Sequence, residues 1–259
     1  MERIESYFAR VSWAPRRESA HSCAQRAFAL LEALERLDPA FHDFWTWSRG
    51  RKPVRVPVLA NREQVEQIIS RNVNRNDVDR KVIETLGFHT EFVHQLDDCE
   101  DAPKGREAVF IRFHCGCYSE GMANSCSMDL PIYRPTGERV LRWDFLAGLM
   151  RTMLEVMDGD NGLITSHAHW QLVNDPPPMT AQPVGWLMYF SRERGTVPPL
   201  PAPVRIEPVG DKGTLVILTP ERLTASNPEH VELGRQVRRL LSQAGLLKNP
   251  YRPPRPEQS

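Results

Sequence analysis

No stretch of this sequence approaches the roughly 18 consecutive apolar residues that a membrane-spanning helix requires; the longest apolar runs are Gly185–Phe190 and Leu215–Leu218. Net charge is missing too, with 33 Lys and Arg against 33 Asp and Glu. A dedicated nucleic-acid binder carries a basic excess that displaces counterions from phosphates, and a polybasic membrane binder needs the same excess. Neither partner is expected. The N-terminus lacks a secretory apolar core, because Glu2, Arg3 and Glu5 interrupt it. There is no Gly-x4-Gly-Lys-Ser/Thr loop, dinucleotide fingerprint, Gly-x-Ser-x-Gly elbow or His-Glu-x2-His helix. These absences turn the expectation toward a cytoplasmic binding protein with no cofactor.

The 259 residues are enough for one domain that buries roughly 70–75% of its unfolded surface, so no metal or disulfide is needed as a staple. Five cysteines, an odd number, suit a reducing compartment in which thiols act as small buried hydrophobes.

Periodicity organises what is present. Ile4–Trp13 reads as a strand. Ser19 caps a helix whose Cys23, Ala27, Leu30, Leu31, Leu34 and Leu37 recur at three- and four-residue steps before Pro39 stops it. The basic stretch Arg49, Arg51, Lys52 and Arg55, broken by Pro53 and Pro57, reads as a loop. Asn61 is placed to cap a second helix ending near Arg71, and Asp77–Leu86 predicts a short third helix closed by Gly87. Phe88–Val93, Val109–Cys115 and Ser125–Leu130 predict an antiparallel meander. Asp144–Met157 reads as a helix. Leu163–Ser166, Val184–Phe190, Val204–Val209 and Thr214–Leu218 follow as strands, the last two as a hairpin. Pro176–Pro178 and Pro198–Pro203 read as rigid connections. A helix capped by Asn227 and Pro228 ends at Gly245. Helices and strands fall in blocks, which predicts an α+β fold with a largely antiparallel sheet and about four to five helices. Residues 1–250 are expected to form one domain, in preference to two halves meeting near Pro131–Arg139, with 251–259 a disordered proline-rich tail.

Three constellations carry chemistry on paper. His114, Cys115, Cys117 and Cys126 could be a zinc or thiol site, but Cys-x-Cys in a strand is a weak metal signal, and buried thiols are the plainer expectation. His167 and His169 could share one face of an edge strand. Asp97, Asp98, Glu100 and Asp101 crowd one predicted loop, with Glu155, Asp158 and Asp160 at a helix end. Such a run is either solvated surface or a docking patch that attracts a cationic partner at long range.

Several motifs in order resemble the immunity protein 52 family of bacterial toxin-neutralising proteins. They are the opening strand to Trp13, Pro15-Arg16-x-Glu18-Ser19, Cys23-Ala24-x-Arg26, Leu37-Asp38-Pro39, Asn74-Arg75-x-Asp77-Val78 and Leu86-Gly87-Phe88. Cys115-Gly116-x-Tyr118, Asn124-Ser125, Asp129-Leu130-Pro131 and Val184-Gly185-Trp186-Leu187 with Tyr189 complete the series. The resemblance spans about residues 4 to 190. It implies a non-catalytic α+β protein that binds a cognate secreted toxin, often a restriction-endonuclease-like nuclease delivered between bacteria, in some cases by type VI secretion. It also implies structural roles for the shared residues. Gly87 would cap, Gly116 turn, Trp13 and Trp186 fill the core, and Arg16, Glu18 and Arg26 form an ionic network. Toxin contacts would then lie on exposed loops, with Asp97, Asp98, Glu100 and Asp101 as the candidates. The alternative is a thiol- or zinc-dependent enzyme using Cys115, Cys117 and Cys126.

Overall fold

In the first strand, β1 (Tyr7–Trp13), the odd-numbered side chains are buried, as the alternating pattern demands. A computed structural model of the protein describes residues 5–48, 51–97, 99–174, 182–249 and 251. Asp98, Arg49, the Pro176–Pro178 connection and the 252–259 part of the tail lie outside the described residues. The remaining strands are β2 (Trp45–Trp47), β3 (Arg55–Pro57), β4 (Phe88–Asp97), β5 (Arg106–Cys115), β6 (Asn124–Leu130), β7 (Asn161–Ser166), β8 (Leu187–Ser191), β9 (Arg205–Val209) and β10 (Gly213–Ile217). They form one sheet in the order β3-β2-β4-β5-β6-β1-β7-β8-β10-β9, with neighbouring strands antiparallel throughout. With the helices below, this is the expected α+β class. The two edge strands each carry a proline, Pro57 and Pro208, which removes an amide donor from the margin.

Helix α1 (Ala20–Leu37) starts where Ser19 accepts the Ser22 amide and stops at the extended Asp38. The Asp38 carboxylate accepts the Ala40 amide at 2.7 Å and two Arg139 hydrogen bonds at 2.8 Å, and the guanidinium holds its carboxyl below the usual range. Helix α2 (Arg62–Arg71) buries Val65, Ile68 and Ile69. Asn61 holds the N-cap position as expected, but its side chain makes no capping hydrogen bond: a 3-10 turn at Leu59–Asn61 leads straight into the helix, and the Asn61 side-chain amide donates back to the Pro57 carbonyl. Helices α3 (Thr136–Val140), α4 (Trp143–Met157), α5 (His167–Val173) and α6 (Pro228–Gln243) complete the set, α6 with Asn227 accepting the Glu229 amide.

Two expectations are corrected outright. Asp77–Leu86 is not a helix but a reversing loop with an Arg75–Val82 bridge and a 3-10 turn at Glu84–Leu86. Asn76 and Asp79 take the Val78 and Lys81 amides with their side chains, and Val78 stays 93% exposed, so no buried face offsets that competition. Arg55, read as loop, is in β3 opposite Trp47.

The sheet's two faces differ. On the first, a row of buried residues runs from Phe92 through Ile111, Met128 and Ala9 to Ile164. It is covered by α4, α1 and α2 in turn. The fit is close, since a Cβ on Gly162 would lie 2.5 Å from the Met150 sulfur. On the second face, the β7, β8 and β10 end is buried, Met188 and Val216 among its residues, and the segment around Gly185 abuts Leu163 and Thr165 there and is bound to Asn174 at the end of α5. One hydrophobic cluster contains residues from either side of 131–139, among them Ile111, Leu149 and Leu215. No helix of the described residues is long and apolar enough to cross a membrane.

Candidate functional site

Among the described residues no helix packs on the second face of β2, β4, β5 and β6, and what it displays follows from register, because directly opposed residues share a face. Glu91 opposes Arg112, which opposes Ser127; His89 opposes His114, which opposes Ser125. Val93 opposes both Phe110 and Trp45, and Trp47 follows Trp45 on the same side. Arg112 donates from Nε to Glu91 at 2.9 Å and from Nη1 to both Asp129 oxygens at 3.1 Å. Trp45 and Trp47 meet edge to face with centroids 4.9 Å apart, and the Arg55 guanidinium lies 4.4 Å over Trp45. Trp47, 48% exposed, borders a groove of about 590 Å³ lined also by His89, Glu91, Arg112, His114 and Ser125. Exposed tryptophan and arginine are the residue types that dominate protein–protein binding energy. Sequence reasoning did not isolate this face. The available signal was the aromatic alternation of Trp45-x-Trp47 beside alternating charge in β4 and β5.

The acidic loop stands at one end of the same hairpin. Asp97 pairs with Arg106 at 3.2 Å, and Arg134 pairs with Asp101 at 2.7 Å and Glu100 at 3.8 Å. Its described carboxylates are therefore matched by arginines, although all remain solvent-exposed. Asp158 and Asp160 are at the far end of the strands. Asp158 meets Arg16 at 3.3 Å; Asp160 accepts the Ala14 amide and the Tyr251 hydroxyl, and burial raises its carboxyl. The sheet does not bring these two acidic groups together.

The shared motif residues gather behind β1. Glu18 accepts Arg26 at 2.5 Å and Arg16 at 3.4 Å, and both guanidinium carbons lie within about 6 Å of the Trp13 ring. Both arginines also donate to the Met157 carbonyl at the end of α4. Gly116 turns with φ +72°, and the buried Asn124 side chain clamps that turn by accepting the Cys117 amide and donating to the Cys117 and Ala14 carbonyls. Trp186 is buried and donates to the Thr219 carbonyl; Asp77 is exposed in its loop. Asp129 alone of these belongs to the open face.

All five cysteines are buried thiols. A hydrogen bond with Cys23 and burial push Cys115 well up, and burial does the same to Cys126. Raised thiols are poor nucleophiles and poor metal ligands at neutral pH. Among the described residues no group of three or more His, Cys, Asp or Glu could hold a metal ion. The native protein should thus give no rapid colour with Ellman's reagent and release five equivalents in denaturant; a fast stoichiometric burst from the native state would contradict the burial. The His167/His169 pair is corrected: it is in α5, capped by Ser166, where positions two apart face different ways. His167 stacks near Phe8 at 4.7 Å, and His169 is buried against the His230 carbonyl.

The profile of the family described as immunity protein 52 matches residues 5–250. Among solved structures, the Pseudomonas aeruginosa T6SS protein PA0821 has a similar fold at 9% sequence identity. The TM-score is 0.54, and the match covers 95% of this chain and 77% of that one. No curated protein matches.

Proposed function

The chain belongs to the immunity protein 52 family, and from that premise we propose that it binds and neutralises a cognate antibacterial toxin of the nuclease type in the cytoplasm of the cell that makes it. The family match across nearly the whole chain carries this reading. The T6SS label of the structural neighbour fits a toxin delivered by such a system. The open sheet face supports it physically, because a stable complex buries on the order of 1,200–2,000 Å² and needs aromatic and arginine anchors near its centre. Inhibition is by occupancy: the toxin's surface is covered and no bond is broken.

Co-expression with the product of the neighbouring gene, where that gene encodes a toxin, tests it. Cells should survive only with the immunity protein present, and the two chains should co-purify; equal killing and separate elution would end the reading.

The Asp97–Asp101 loop is proposed as part of the interface rim. Changing Asp97, Asp98, Glu100 and Asp101 to Asn or Gln would strand Arg106 and Arg134 without their carboxylates and reverse the local sign. Association with a basic toxin should then slow on the order of 3- to 10-fold, with a flatter salt dependence. Unchanged association kinetics in stopped flow would remove the loop from the interface.

A further inference from the structure

The groove beside Trp47 has the chemistry of a cation receptor. One guanidinium, that of Arg112, is shared by two carboxylates, Glu91 and Asp129. The trio thus keeps one net negative charge, and both carboxylates are partly exposed, 44% and 37% by side chain. Next to it, the Trp47 ring meets Trp45 at an interplanar angle of 82°. Trp45 already has a cation on its ring in Arg55, whereas among the described residues no guanidinium stacks on Trp47. An open indole face next to surplus carboxylate attracts a cationic side chain through both the ring quadrupole and the charge. His89 and His114 line the same groove.

We propose that this groove receives an arginine or lysine side chain projecting from the cognate toxin, seated over Trp47 and held by Glu91, with Asp129, just beyond the groove lining, sharing the Arg112 guanidinium. The assignment rests on the toxin-binding function proposed above and adds the place and the chemistry of the contact. It fits a nuclease partner, whose nucleic-acid-binding surface is basic. Glu91, Arg112 and Asp129 lie on three neighbouring strands, Glu91 directly opposite Arg112 and Asp129 two residues along β6 from Ser127, the residue opposite Arg112, so the receptor is held on rigid sheet.

The test is binding of the toxin identified by that co-expression, inactivated at its active site, to purified full-length immunity protein. Trp47→Leu keeps apolar bulk and removes the quadrupole; Glu91→Gln with Asp129→Asn removes the surplus charge and keeps shape. Each should weaken binding by about 30-fold or more, the size of an interface hot spot, while Val78→Ala, at an exposed loop position, should bind like the parent. Melting temperatures confirm that the variants fold, and the half-exposed Trp47 makes its variant the safer of the two. Tighter binding by the Gln/Asn variant would show that Arg112 reads a toxin carboxylate and would overturn the proposal. Parent-like binding by folded variants of both kinds would overturn it as well, leaving the immunity function intact. Failure of the parent protein itself to bind or protect would instead defeat the immunity function, and the groove assignment with it.

Discussion

Replacing Gly87 with alanine should leave little folded protein. Gly87 has φ +63° and ψ −146°, a region open essentially to glycine alone. A Cβ there would lie 2.3 Å from the Cys115 carbonyl oxygen, 2.5 Å from the Cys117 nitrogen and 2.5 Å from the Gly116 carbonyl carbon. All three atoms are backbone, so no rotamer change relieves the contact. The end of β5 would have to move away from the entry to β4, loosening the Gly116 turn that Asn124 clamps. Strain of about 1–3 kcal/mol adds to the cost of that displacement. The sum, at least ~4 kcal/mol, is a large share of the about 5–15 kcal/mol that holds a domain together. Gly105 is the internal control. It shares a positive φ of 64°, but its added Cβ would meet nothing closer than 4.0 Å, so Gly105→Ala should cost only about 1–2 kcal/mol. Urea unfolding of the two variants gives the comparison; a Gly87→Ala protein within about 1 kcal/mol of the parent would refute the steric account.

Acid should weaken the fold well before carboxylates begin to protonate. His169 has no solvent exposure, and burial pushes its imidazole from 6.5 down to about 4. The unfolded chain therefore takes up a proton near pH 6.5, and the folded chain does so only near pH 4. Stability is complete above the first value and declines as pH falls toward the second, by about 2 kcal/mol between pH 7 and pH 5 and ~3 kcal/mol in full. His94, also lowered chiefly by burial, acts in the same direction. Asp38 follows at lower pH: its carboxyl is held down by Arg139, so its contribution is present above the ordinary carboxylate value and is lost as pH falls through the folded one. His169→Gln, which can still donate to the His230 carbonyl, should flatten the upper part of this curve. Equal urea midpoints for the parent protein at pH 7 and pH 5 would show that His169 is not buried neutral.

The parts of the fold legible in the sequence are those decided locally. Ser19, Asn227 and Pro228 mark helix starts through their own side chains or ring, and the apolar spacing of α1 and α4 needs only one face of one helix to be buried. The reversing loop at 77–86 was illegible because helical spacing of Val78 and Val82 says nothing about whether a surface exists to receive them. Arg134 pairs with Asp101 across 33 positions, so the neutralisation of the acidic loop leaves no local trace. The open face was hidden for a related reason. An alternating strand announces that its sides differ, but which side α1, α2 and α4 cover depends on chain packed from elsewhere.

The division of the sheet into a packed side and a bare side separates two kinds of inheritance. Phe92, Ile111 and Met128 hold the domain together, while their immediate neighbours Glu91, Arg112 and Ser127 point the other way. Solvent-accessible letters on that side, such as Glu91, Arg112 and Ser127, can therefore change while the intervening buried ones keep the scaffold unchanged.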